Sequence, residues 1–106
     1  MKNEELISDE NYNKVQAHKG PAFVEFFATW CPHCQRMAPI ISELAAEYDG
    51  KIKFFLVDVD KAPEACDKNN ISGTPTMLLR KDGKKQGEIV GERPKEELKE
   101  ALDALL

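Results

Sequence analysis

Two cysteines, Cys31 and Cys34 in the run Trp30-Cys31-Pro32-His33-Cys34, are the residues whose type and spacing best suit chemistry. Positions i and i+3 of a helix lie on one face, roughly 5–6 Å apart. That separation falls within the Cα range a disulfide bridges, roughly 4.4–6.8 Å. The pair can therefore pass between dithiol and disulfide with little backbone movement. Such exchange needs one thiolate to attack and a second thiol to release the product. Cys31, at the start of a helix, would face free backbone N–H groups and the positive end of the helix dipole, which favour a thiolate. Cys34 would lie inside the helix among apolar neighbours and stay protonated longer. The expected assignment is Cys31 as nucleophile and Cys34 as resolving thiol, against a bland alternative of two cysteines that merely pack.

Other groups fall near this pair. His33 cannot be far from either sulfur; as an imidazolium it would favour the Cys31 thiolate, and it could donate a hydrogen bond to the sulfur. The alternative is an exposed histidine of little influence. Glu25 is the only ionisable residue in the apolar run 22–28. In a central strand it would be desolvated, its pKa would rise, and it could accept the proton that Cys34 must lose. Tipped toward a solvated edge, it would do neither. Thr74-Pro75 precedes an apolar stretch, and the residues alone favour a trans bond there, the commoner isomer. Cys66 reads as a small, partly buried residue, and His18 as a surface residue.

The elements that must position these groups are legible from periodicity. Leu6 and Ile7 belong to a short first strand. Ser8 reads as an N-cap, with Asp9 and Glu10 in the first turn of a helix to about His18. Gly20-Pro21 ends it. Residues 22–28 read as a strand buried on both faces. Pro32 suits the first turn of a second helix, whose apolar stripe is Cys34, Met37, Ile41, Leu44 and Tyr48. Pro39 inside the stripe predicts a kink, and Asp49-Gly50 ends the helix. Residues 52–59 read as a third strand and 63–68 as a short helix. Strands at 77–80 and 88–90 flank Asp82-Gly83 as a hairpin. Pro94 opens a last helix with Leu98, Ala101, Leu102 and Leu105 on one face. The alternation implies an α/β fold, with a mostly parallel sheet covered on both sides and antiparallel strands at one edge.

Composition narrows the function. A chain of 106 residues suits one domain, and 42% hydrophobic residues can supply its core. A net charge of −4 argues against a nucleic-acid binder. Residues 1–10 carry four acids and no apolar stretch, so no signal peptide is expected. No run approaches the roughly 20 apolar residues of a membrane span. Three cysteines are too few for a disulfide scaffold. Structural zinc wants four ligands, and one C-x-x-C supplies two. Neither a metal nor a cofactor is expected.

With these elements in order, the chain resembles the thioredoxin family over nearly its whole length. The matching residues are Phe23-Val24-Glu25-Phe26-Phe27-Ala28 before Trp30-Cys31, then Val57-Asp58-Val59-Asp60, Gly73-Thr74-Pro75-Thr76, Asp82-Gly83 and Gly91. The resemblance implies a thioredoxin fold, a central five-stranded mixed sheet in the order 1-3-2-4-5 flanked by four helices. It implies that Thr74-Pro75 is cis and faces the sulfurs, against the trans form favoured locally. It implies that the backbone of Thr74 pairs with an extended substrate segment, and that Trp30, Pro75 and Gly91 line a shallow groove around Cys31, with Pro32 beside them.

The chain departs from the family at informative places. Pro32-His33 replaces the usual Gly-Pro and matches the dipeptide of periplasmic disulfide-forming oxidases. Glu25 stands where thioredoxins usually have Asp and protein disulfide isomerases have Glu. Leu56 stands where many thioredoxins have a Lys, and Thr74 replaces the usual Ile. These accessories lean toward a more oxidising couple. The expected function is thiol–disulfide oxidoreduction that reduces disulfide-containing proteins, with a thioredoxin reductase-type enzyme as recycling partner. A monomer in the cytoplasm is expected, with neither nucleic acid nor membrane as partner. The alternative within the fold is a disulfide oxidase or isomerase, although the oxidases usually carry an inserted helical domain for which there is no room. A docking or metal-binding module without turnover is the reading from another class.

Overall fold

The computed structural model describes residues 3–106. Met1 and Lys2, within the segment where no leader is expected, lie outside the described residues. The elements in order are β1 (Glu4–Ile7), α1 (Asn13–Ala17), β2 (Pro21–Phe27), α2 (Pro32–Glu47), β3 (Lys53–Asp58), a 3-10 turn (Val59–Lys61), α3 (Pro63–Lys68), β4 (Thr76–Lys81), β5 (Lys84–Val90) and α4 (Lys95–Asp103). The sheet order is β1-β3-β2-β4-β5. β3 pairs in parallel with β1 and β2, whereas β4 runs antiparallel to β2 and β5. This is the five-stranded mixed sheet with four helices that the resemblance implies.

Alternation along β2 divides the core. Phe23 packs with Met37, Ile41, Leu44, Leu98 and Leu102 of α2 and α4 on one face. Val24 and Phe26 pack with Val15 of α1 and Ala65 of α3 on the other. Successive strand side chains point to opposite faces, so both must be apolar. Glu25 shares the face of Phe23 and is the one carboxylate inserted there, 4% exposed. The stripe of α2 is buried as expected, and the helix continues through Pro39.

Two elements differ from expectation. The helix expected from Ser8 is only Asn13–Ala17, and Tyr12, not Ser8, precedes it. Ser8 Oγ accepts from the Glu10 N–H at 3.3 Å, closing a turn that does not run on into the helix. Asn11 Oδ1 accepts from the Ser8 N–H at 2.7 Å, and the Asp9 N–H donates to the Lys61 carbonyl. The Asp9 carboxylate accepts from the N–H groups of Glu64 and Ala65, at 2.9 and 3.0 Å, and so caps α3 from across the fold. The hairpin strands are longer than expected, the pairing running to Lys81 and Lys84 across a register shift between Leu79 and Arg80. Thr74-Pro75 is cis, as the resemblance implies and against the trans form favoured by the residues alone. The Thr76 hydroxyl donates to the Gly73 carbonyl at 2.7 Å, and the Gly91 N–H donates to the Pro75 carbonyl at 2.8 Å.

Candidate active site

Cys31 stands between the end of β2 and the start of α2 because Trp30 and Cys31 close a turn, the Cys31 N–H donating to the Ala28 carbonyl at 3.2 Å. Cys31 is the extended N-cap residue of α2 (φ −89°, ψ 117°), with Pro32 opening the helix. Its sulfur takes the place of a capping oxygen and accepts from the Cys34 N–H at 3.4 Å. On the other side its Sγ lies 3.6 Å from the Thr74 carbonyl. Thr74 therefore meets the sulfur directly, and Pro75 hands its carbonyl to Gly91. All three cysteines are free thiols.

The two active-site thiols are driven apart in acidity. Hydrogen bonding from the Thr74 side chain is the largest influence on Cys31; with help from Cys34 and the Cys34 and His33 backbone, it outweighs burial and lowers the thiol from 9.0 to about 7. Burial pushes Cys34 up to about 11. Cys31 is thus the more acidic of the two sulfurs, and Cys34 holds its proton longer. Asymmetry of this kind suits an attacking sulfur followed by a resolving one.

Glu25 sits beneath the dithiol. A cavity of about 280 Å³ is lined by Glu25, Cys34, Glu4, Phe27, Ala38 and Leu56, among others. Burial, the Glu4 carboxylate and Cys31 together raise the Glu25 carboxyl from 4.5 to about 7. Leu56, beside Glu25 in the β2–β3 register, brings no cation to it.

The rim of the site is polar on one side and apolar on the other. Trp30 is 66% exposed, its indole N–H donating to Asp60 Oδ2 at 2.9 Å. Asp60 is positioned by the 3-10 turn, where its N–H donates to Asp58 Oδ1 at 3.0 Å. Gly91, at φ +94°, takes a backbone conformation that suits glycine, where the chain turns from β5 past Pro75. The His33 ring is engaged by Glu92 and Arg36. Its Nδ1 lies 2.9 Å from Glu92 Oε1 and 2.8 Å from an Arg36 guanidinium nitrogen. The hydrogen-bonding influence of His33 on the Cys31 sulfur runs through its backbone.

The structure thus gathers Cys31, Cys34, Glu25, Trp30, Pro32, Thr74, Pro75 and Gly91 at one end of the sheet, and holds the His33 ring at the rim. Sequence reasoning missed Arg36, Glu92, Glu4 and Asp60. Glu92, directly after Gly91, was the one with a signal, since any group there borders the groove.

A dithiol of split acidity at a strand-to-helix junction, facing a threonyl-proline loop across a 1-3-2-4-5 sheet, defines a thiol–disulfide oxidoreductase. Comparison with known proteins agrees. The family model described as Thioredoxin matches residues 3–104. Curated relatives include a thioredoxin of Staphylococcus haemolyticus, 39% identical over 97 residues and 92% of each chain. A thioredoxin of Staphylococcus aureus is 38% identical over the same share. The chain belongs to the thioredoxin family.

Proposed function

We propose that the protein reduces disulfides in other proteins. The Cys31 thiolate attacks a substrate S–S bond, forms a mixed disulfide and expels one substrate thiolate. Glu25 takes the proton from Cys34 through the cavity they share. Cys34 then attacks Cys31, releasing the second substrate thiol and leaving the Cys31–Cys34 disulfide. Two electrons have passed from the dithiol to the substrate. The Thr74 backbone and the groove of Trp30, Pro32, Pro75 and Gly91 hold the extended substrate segment. A reductase of the thioredoxin reductase type would return the disulfide to the dithiol, in a reducing compartment such as the cytoplasm.

The observation that carries this reading is Cys31 at the N-cap of α2, its Sγ accepting from the Cys34 N–H at 3.4 Å while the resolving thiol lies buried one turn further on. The oxidase or isomerase reading is favoured by one specific feature, the Pro32-His33 dipeptide. The equilibrium reduction potential in glutathione buffers, with Trp30 fluorescence as readout, separates the two. Reference couples lie at about −270 mV for a thioredoxin and about −180 mV for protein disulfide isomerase. The reductase reading expects a value more negative than about −230 mV; a less negative one assigns the protein to disulfide formation or isomerisation.

A further inference from the structure

An ionic cluster beside the dithiol plays no part in the cycle above. Glu92 lies between β5 and α4 and reaches across to the first turns of α2. Its Oε1 is 2.9 Å from His33 Nδ1 and 3.1 Å from an Arg36 terminal nitrogen. Arg36 Nε lies 3.2 and 3.3 Å from the two Glu92 oxygens, a forked pairing. The same Arg36 terminal nitrogen lies 2.8 Å from His33 Nδ1. That ring nitrogen serves one partner at a time. Carrying a proton it donates to Glu92; without one it accepts from Arg36. Whichever state the ring takes, Glu92 faces the cationic groups at this end of α2.

These cations matter to the sulfur. His33 and Arg36 stand in the first two turns of α2, the helix whose N-cap is Cys31. His33 adjoins Cys34 and follows Cys31 by two residues. The neighbouring charges are otherwise engaged: Arg93 pairs with Glu97 at 3.1 Å, Lys95 with Glu43 and Glu47, and Asp60 with the Trp30 indole. Glu25, under the sheet end, faces the cavity side of the dithiol.

We propose that Glu92 is a positioning residue for redox potential: by pairing with Arg36 and His33 it withholds their positive field from the Cys31 sulfur, and so keeps the couple more reducing than the Pro-His dipeptide would make it. A cation free to face the sulfur stabilises the thiolate, hence the reduced protein, and makes the disulfide a stronger oxidant. A carboxylate lying against that cation cancels much of the effect. This inference rests on Cys31 being the attacking sulfur. The potential of the parent protein tests the reductase reading, whereas the difference between variant and parent tests Glu92.

The experiment is the exchange equilibrium of the protein disulfide with two molecules of glutathione, giving the dithiol and glutathione disulfide. It is run at pH 8 and low salt for the parent, Glu92→Gln and Glu92→Asp. Glu92→Gln is expected to shift the constant about threefold toward the dithiol, about 14 mV at 29.6 mV per decade. Glu92→Asp restores most of the parent value. The shift shrinks at high salt, because exposed charges are screened. It vanishes when His33 and Arg36 are also replaced by Gln. An unchanged constant in Glu92→Gln overturns the proposal. So does a shift that survives replacement of both cations, because the Glu92 carboxylate would then act on the sulfur without them.

Discussion

Replacing Glu25 with Gln should make the protein more stable, in a way that depends on pH. The carboxyl is 4% exposed, and its pKa rises from 4.5 to about 7, first through burial and then through Glu4 and Cys31. Between those values the folded chain holds a proton that the unfolded chain releases. Stability from this group is therefore full below about pH 4.5 and is lost as pH rises through about 7. At about 1.36 kcal/mol per unit, a rise from 4.5 to about 7 corresponds to about 3 kcal/mol by pH 8.5. The amide keeps the shape and removes the titration. Urea unfolding of the reduced proteins at pH 4, 6 and 8.5 measures the difference. The two should nearly coincide at pH 4 and separate by about 3 kcal/mol at pH 8.5, a midpoint difference of roughly 1–3 M urea. The same variant should release substrate from the mixed disulfide more slowly, because Cys34 loses its proton acceptor. A stability difference that stays constant across this range would refute the reasoning, since Glu25 would then ionise in the folded protein as it does in the unfolded chain.

Two further substitutions separate site chemistry from scaffold. Thr74→Val removes the largest influence lowering the Cys31 thiol, so its titration, followed by thiolate ultraviolet absorbance, should move up from about 7 toward 9.0. An unmoved midpoint would assign the low value to the helix start alone. Asp9→Ala removes the remote cap on the N–H groups of Glu64 and Ala65 and should cost about 1–2 kcal/mol in urea unfolding. The Cys31 titration should be unchanged, and a stability equal to the parent's would show that water replaces the cap.

The parts of this fold that were legible from sequence are those that local pattern controls. The helical stripe from Cys34 to Tyr48 and the apolar run into Ala28 each have a period, and the period places Cys31 where strand meets helix. Other parts depended on contacts remote in sequence. Ser8 and Asp9 look like a helix start, but Asp9 caps α3, more than fifty residues away. The Thr74-Pro75 isomer runs against the local preference, and the resemblance, not the local pattern, indicated it. Histidine between two cysteines suggests direct action on sulfur, and its ring lies instead against Glu92. The low Cys31 value was expected from the helix start. The largest contribution comes from Thr74, whose expected part was to pair its backbone with substrate.

The claim that Cys31 attacks and Cys34 resolves is tested most directly by Cys34→Ser, mixed with a disulfide-bearing protein and examined by mass spectrometry after acid quenching. The account predicts a stable one-to-one mixed disulfide mapped to Cys31, formed at a rate that rises with pH through about 7 as the Cys31 thiolate forms. An absence of adduct, or one mapped to Cys66, would contradict it.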